Sequence, residues 1–277
     1  MPRFAANLSF LYTELPFLDR FAAAAEDGFK GVEYMFPYDY PAEQLVELLE
    51  KHGLEQVLIN SPAGDWAAGE RGMACIPGRE EEFAASIDRA IEYAQALKCP
   101  RIHVMAGTRP RVTMTNENGA AALEESIAIW DATYLANIRV AAQKAEAANV
   151  LLLLEPICQH TMPRYYMDDP KLARTVIRKV RSEHVKLQLD LFHIQVVWGD
   201  LTHMIKHQME YNRVGHVQIA GVPDRHEPDI GEVNYDWIFK VLDEAGYDGW
   251  VGCEYNPIRG KAPNATHDGL GWMRRWL

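Results

Sequence analysis

Four consecutive leucines, Leu151–Leu154, run directly into Glu155 and Pro156. An apolar run without polar alternation suits a strand covered on both faces, as in a parallel sheet flanked by helices. Pro156 has no amide hydrogen to give to a sheet ladder, so the strand should stop there. Glu155 is then at a strand's C-terminal end, where α/β folds carry their active sites. Taken alone, the same glutamate reads equally well as the start of a surface loop. The stretch matters because its arrangement recurs.

Strands are predicted over Phe4–Tyr12, Gly31–Pro37, Leu54–Pro62, Pro100–Gly107, Asn149–Pro156, Val185–His193, Gly215–Gly221 and Gly249–Tyr255. Helices are predicted between them, over Leu15–Gly28, Pro41–Gly53, Gly78–Leu97, Ala120–Ala148, Pro170–Arg181, Leu201–Tyr211 and Tyr235–Ala245, with a last one around Leu270–Trp276. Proline near a helix start and glycine behind its end, as at Pro41 and Gly53, mark the boundaries. Such alternation implies right-handed βαβ units and a parallel sheet. Eight units in 277 residues predict an α/β fold, a (β/α)8 TIM barrel forming one domain over residues 1–277, rather than a doubly wound sheet. No GxGxxG or GxxxxGK[ST] follows any strand, which removes the main nucleotide-binding rivals. Two loops stand out, the polar, glycine-rich Ala63–Pro77 and Thr108–Gly119. Loops of that length in a compact domain are usually functional, and Ala63–Pro77 is a candidate lid.

Four late strands each bear an oxygen-carrying side chain at or near the C-terminal end: Glu155, Asp190, Gln218 and Glu254. Inward positions alternate along a barrel strand. With Asp190 inward, Leu187 and Leu189 face the helices; with Gln218 inward, Val217 and Ile219 do; with Glu254 inward, Val251 and Cys253 do. Parity therefore lets all four converge on one mouth. Three adjacent carboxylates repel unless one takes up a proton. A divalent cation removes the conflict, and oxygen donors select a hard ion, Mg2+ or Mn2+. The competing account makes each a solvated or hydrogen-bonded strand-end residue. His193, three residues past Asp190, is a candidate substrate contact. Arg225 lies in the loop after Gln218, a suitable place for a positive charge facing an anion. His103 lines the barrel or is a satisfied core histidine; Glu33 and Asn60 are similar cases. Glu70 and Arg71 reach the site only if the glycine-rich loop closes, and otherwise are surface charges.

The net charge of −11 argues against a general nucleic-acid or anionic-membrane surface, and an anionic substrate would need a local cation. The four cysteines lie far apart without CxxC or metal-ligand spacing, which suggests reduced thiols and a cytoplasmic setting. No signal-peptide pattern and no membrane-length apolar run is seen. A homo-oligomer is compatible with the sequence.

The segments FAANLSFLYTELPF, GVEYMFPYDYP, INSPAGDWAAGERG, IPGREEEF, RIHVMAG, LLLEPI, QLDLFH, HVQIAGVPDRHEPDIGEVNY and GCEYNP, in this order, resemble the hydroxypyruvate isomerases within the xylose-isomerase-like barrel superfamily. Close relatives there are 2-oxo-tetronate isomerases. The resemblance implies one divalent metal held by Glu155, Asp190, Gln218 and Glu254. It implies that Glu155 and Glu254 are the acid/base pair, and that His193 and Arg225 sit at or near substrate-contacting positions. Related sugar epimerases have a histidine as third ligand; Gln218 stands there in this chain, which argues against a ketose 3-epimerase. The expected reaction interconverts hydroxypyruvate and 2-hydroxy-3-oxopropanoate (tartronate semialdehyde) through an enediolate, with Arg225 holding the carboxylate of this small anionic acid. The alternatives are a 2-oxo-tetronate isomerase, a DNA-repair endonuclease on the same fold, which the acidic charge disfavours, and a metal-stabilised small-acid-binding protein without turnover.

Overall fold

The computed structural model describes residues 2–109, 119–274 and 276, with 119–123 as helical backbone. Eight strands, β1 (Arg3–Asn7), β2 (Gly31–Tyr34), β3 (Glu55–Asn60), β4 (Arg101–His103), β5 (Leu151–Leu154), β6 (Val185–Asp190), β7 (Val214–Ile219) and β8 (Trp250–Cys253), pair in chain order as a closed barrel. β8 returns to β1 in parallel, with Gly252 opposite Ala5. The helices are α1 (Arg20–Glu26), α2 (Ala42–His52), α3 (Glu80–Ala96), α4 (Gly119–Ala148), α5 (Pro170–Val180), α6 (Leu191–Val197), α7 (Leu201–Glu210), α8 (Tyr235–Glu244) and α9 (Ala265–Gly269). The expected (β/α)8 barrel is the observed fold. Among the described residues no helix is long and apolar enough to cross a membrane.

The leucine run shows why the barrel forms. Leu152 and Leu154 are buried in the layer between sheet and helices, while Leu153 packs inside the barrel with Ala5, Val57, Leu58 and Trp250. Each buried leucine contributes about 1.5–3 kcal/mol, so a strand with no polar face is stable only where both faces are covered. Leu187, Leu189, Val217, Ile219, Val251 and Cys253 all pack in the outer layer, leaving the alternate positions to the interior. Glycine makes interior room where it is needed. A Cβ on Gly252 would lie 2.4 Å from Glu33 Oε1, so only glycine there lets Glu33 occupy the barrel axis.

Several boundaries differ from expectation; β4, expected to reach Gly107, stops at His103. The strand expected to reach His193 stops at Asp190, whose side chain accepts from Phe192 N–H and caps α6. His193 therefore sits in the first turn of a helix. β1 ends at Asn7, because its carbonyl accepts from Phe10 and Leu11 N–H and turns the chain. The closing helix starts earlier than expected, as α9 followed by a 3-10 turn over Leu270–Trp272. The loop expected over Thr108–Gly119 falls almost wholly outside the described residues.

The glycine-rich loop, residues 63–77, is docked onto the end of β4. Gly72 bridges Ala106, Cys75 N–H donates to the Ala106 carbonyl at 2.8 Å, and Gly107 N–H donates to the Arg71 carbonyl at 3.0 Å. From α4, Asn137 Nδ2 donates to the Ala74 carbonyl at 2.9 Å. These contacts carry Arg71 over the barrel mouth.

Candidate active site

Glu155 directly follows β5, Asp190 closes β6, Gln218 is the penultimate residue of β7, and Glu254 directly follows β8. Asp190 and Gln218 are partners across the β6–β7 ladder. Glu155, Asp190 and Gln218 are buried; the Glu254 side chain is 13% exposed. A cavity of about 200 Å³ opens over this end of the barrel, lined by Glu155, Glu254, Gln188, His103, His193 and Arg225, with Phe10, Trp66 and Arg71 among its other walls.

The carboxylates are held unequally. Glu254 Oε1 accepts from Arg225 Nη2 at 2.6 Å, and Oε2 accepts from Asn7 Nδ2 at 3.1 Å and from the Gln218 amide. Asp190 Oδ1 accepts from Phe192 N–H at 2.8 Å and Oδ2 from Arg225 Nη2 at 3.0 Å. Glu155 Oε2 accepts from Gln188 Nε2 at 3.1 Å, with His103 Nε2 3.4 Å away. Glu155 Oε1 has no hydrogen-bond partner among the described residues. A buried oxygen left so costs about 1–3 kcal/mol, a deficit that a proton, a ligand or a cation would cover.

Burial sets the protonation states, and neighbouring charges adjust them. Desolvation, then the charges of Glu254 and Asp190, push the Glu155 carboxyl well above the usual carboxylate range, against the opposing pull of Arg225. Desolvation also raises Asp190, offset by Arg225 and by backbone N–H donors. Glu254 is pushed up to about 8 by desolvation, again opposed by Arg225. Burial lowers His103 to about 3 and carries His193 well below its ordinary value, the latter helped by Arg225. Arg225 stays charged: burial works against its cation, but Glu254, Asp190 and Glu155 outweigh it. Burial therefore favours the neutral form of both imidazoles.

One donor atom each from Glu155, Asp190 and His193 lie within 4.8 Å of one another. His193 Nε2 is 3.8 Å from Glu155 Oε1 and 3.4 Å from Asp190 Oδ2. Two carboxylate oxygens, one of them unpartnered, and a neutral imidazole fit a divalent cation. Gln218 and Glu254 stand against this trio but are engaged elsewhere. Gln218 Oε1 accepts from Gln188 Nε2 at 2.6 Å, and its amide donates to Glu33 Oε1 at 2.7 Å as well as to Glu254. Arg225 likewise already donates to Asp190 Oδ2 and His193 Nε2, so for the trio or for the expected set of four to hold one ion, bonds must be exchanged.

Of the expected substrate contacts, His103, His193, Arg225 and Arg71 line the cavity. Glu70 does not; it pairs with Arg79 and accepts from Asp65 N–H at 2.6 Å. Arg225, expected to hold a substrate carboxylate, is 7% exposed and is committed to Asp190, Glu254 and His193. Arg71 is the cation of the cavity with no carboxylate partner among the described residues. Its Nη1 donates to the carbonyls of Trp66 and Glu70, and its guanidinium lies 3.8 Å from the Trp66 ring.

In the layer below, sequence reasoning singled out Glu33 but missed its partners. Asn7 Nδ2 reaches both Glu33 Oε1 at 3.0 Å and Glu254, and His216 Nε2 lies 2.6 Å from Glu33 Oε2. Gln188 and His216 each stand two residues before a site residue on the same strand, so the parity that selects Asp190 and Gln218 also selects them.

Residues 21–276 match the family model described as xylose isomerase-like TIM barrel. The chain is 47% identical to a 2-oxo-tetronate isomerase of Cupriavidus necator, over 100% of this chain and 99% of that one. It is 44% identical to a hydroxypyruvate isomerase of Escherichia coli (strain K12), over 99% and 98%. A crystal structure described as AP endonuclease, family 2, from Brucella melitensis superposes with a TM-score of 0.89 at 46% identity, over 100% and 99%.

Proposed function

Because the chain belongs to the xylose isomerase-like TIM barrel family, we propose that it is a metal-dependent isomerase of a small hydroxy- or oxo-acid. It interconverts hydroxypyruvate and 2-hydroxy-3-oxopropanoate. The second reading, a 2-oxo-tetronate isomerase, is favoured by the 47%-identical relative of that name. The observation that carries the proposal is a small cavity flanked by Glu155 and Glu254, with Arg71 at its wall meeting no carboxylate among the described residues.

Moving a carbonyl to the next carbon requires a proton taken from the carbon beside it and one returned to the neighbour, through an enediolate. Glu155, ionised when a cation sits beside it, would take the proton, while Gln188 fixes Oε2 and with it the carboxyl plane. Glu254, held by Arg225, Asn7 and Gln218, serves the other carbon. Carboxyls raised toward neutral pH by desolvation are stronger bases than ordinary glutamates, as proton transfer from carbon demands. Glu155, Asp190 and His193 would hold the ion, with Glu254 and Gln218 next to it. The ion, when bound, would stabilise the negative charge developing on the substrate oxygens. Arg71 binds the substrate carboxylate, and the Trp66 ring keeps the guanidinium in place.

Turnover of hydroxypyruvate, 2-oxo-tetronates and neutral ketoses by the metal-loaded protein tests this. The acids should be converted, and Arg71→Gln should raise KM for them by about 10- to 100-fold, as for a lost charged hydrogen bond of roughly 1.5–3 kcal/mol. Faster conversion of a neutral ketose than of either acid would overturn the substrate class. No turnover of any member would favour the binding-protein reading. DNA cleavage would demand a basic mouth; three carboxylates occupy this one.

A further inference from the structure

We propose that the groove between α5 and the α7–β7 connection binds a small soluble anion carrying two or more phosphate groups. The groove has a volume of about 470 Å³, and its walls include Lys171, Arg174 and Arg178 of α5, His207 of α7, and Tyr211 and Arg213 beyond it. Among the described residues no carboxylate lines it. Such a concentration of cations runs against a chain whose net charge is −11.

Two features separate this groove from a solvated basic face. The first is clustering, with four cations around one groove. Among the described residues Lys171, Arg174, Arg178 and Arg213 meet no carboxylate. Lys171, Arg174 and Arg178 follow at spacings of three and four along one helix face, where like charges repel. Among the described residues no ion pair offsets that repulsion, and a bound anion would. The second feature is that two of these cations rest on aromatic rings. Lys171 Nζ lies 4.6 Å over the Trp198 ring, and the Arg213 guanidinium lies 4.4 Å over the Tyr211 ring. The Tyr211 ring in turn sits 5.1 Å from the His207 ring. Cations held on aromatic rings lose less freedom when a ligand arrives.

The ligand class follows from span and charge. Lys171 and Arg178 are seven residues apart, about 10 Å along the helix at ~1.5 Å per residue. Two linked phosphoryl groups match that spread of cations better than a single phosphate does. Guanidinium groups bind phosphate oxygens in pairs, and two phosphates match this number of cations better than one carboxylate does. The groove lies on the outer wall of the barrel, so the proposal does not depend on the chemistry assigned to the mouth.

Calorimetric titration of the full chain in about 0.1 M salt tests it, with inorganic pyrophosphate, ATP, inorganic phosphate, citrate and a short single-stranded oligonucleotide as probes. Pyrophosphate or ATP should bind saturably at one site, at least tenfold tighter than phosphate or citrate, and more weakly as salt rises. Arg174→Gln with Arg178→Gln should weaken that binding tenfold or more. The double variant keeps the side-chain stems and relieves repulsion, so its Tm should hold or rise, which separates lost binding from lost folding. Undiminished binding by the double variant would place the anion elsewhere and overturn the proposal. Equal affinity for citrate would overturn the phosphate class. Tighter binding of the oligonucleotide than of pyrophosphate would overturn the small-molecule reading. No saturable binding of any probe would overturn it entirely.

Discussion

Glu155 and Glu254 are the same residue type at matching strand ends, yet the chain treats them differently. Glu254 has both oxygens filled by donors, whereas Glu155 Oε1 has none. Glu155→Gln should therefore lower kcat by about 10²–10⁴-fold, the usual loss when a general base is removed, with the fold intact by thermal melting. Near-wild-type turnover would remove the acid/base assignment. Glu33 acts at one remove. Its Oε1 holds the amides of Asn7 and Gln218, and both of those donate onward to Glu254 Oε2. Replacing Glu33 by Gln puts a donor where two donors already point. Steady-state kinetics should show kcat down by about 10- to 100-fold, as for other outer partners of a site, with KM nearly unchanged. A raised KM at normal kcat would mean that the network shapes substrate binding instead. Glu155, Asp190, Gln218 and Glu254 are legible in the sequence as one set because strand parity is a local rule. The difference between the two glutamates is not legible, because it depends on Asn7, Glu33 and Arg225, brought in from distant parts of the chain.

At the scale of elements, the strands are legible to within a few residues, since each leucine- or valine-rich run has a face to cover on both sides. The start of α6 was not, because a strand reading of QLDLFH and an Asp-capped helix start share the same letters until the chain turns at Asp190. The glycine-rich loop is legible as functional but not as docked. Its anchor is Gly72, at φ +111°, where a Cβ would lie 2.2 Å from the Met105 carbonyl oxygen. Gly69 has φ +95° but nothing within 4 Å of its would-be Cβ. Gly72→Ala should thus cost stability on two counts, backbone strain of about 1–3 kcal/mol and a clash that pushes the loop off β4. Gly69→Ala carries only the first. Because Arg71 rides next to Gly72, the Gly72 variant should also raise KM for an acidic substrate while the Gly69 variant leaves it nearly unchanged. Melting curves and KM for the pair check this. Equal effects of both substitutions would mean that the loop does not depend on its dock to present Arg71.

At the barrel mouth three carboxyls share one permanent cation among the described residues. Glu155, Asp190 and Glu254 are all raised by desolvation, while His103 and His193 are lowered by it, and Arg225 is the buried cation among them. These shifts act on stability in opposite directions. A carboxyl whose folded value lies above its unfolded one favours the fold when protonated; that advantage is complete below the unfolded value and is lost as pH rises through the folded value. For Glu254 the loss extends to about pH 8. A histidine whose folded value is depressed favours the fold when neutral; for His103 stability is lost as pH falls from its ordinary value of 6.5 toward about 3. The metal-free protein should therefore be most stable on the acid side of neutrality and melt progressively lower from pH 6 to pH 9. The net charge of −11 adds self-repulsion in the same direction. A divalent cation takes the place of the missing protons, so it stabilises the fold most where the carboxyls are ionised. Thermal melts in EDTA and in Mn2+ across that range should diverge with rising pH, the gap at pH 9 exceeding the gap at pH 6. A gap that is constant with pH, or absent, would mean that the ion does not bind to these carboxylates, whatever its effect on activity.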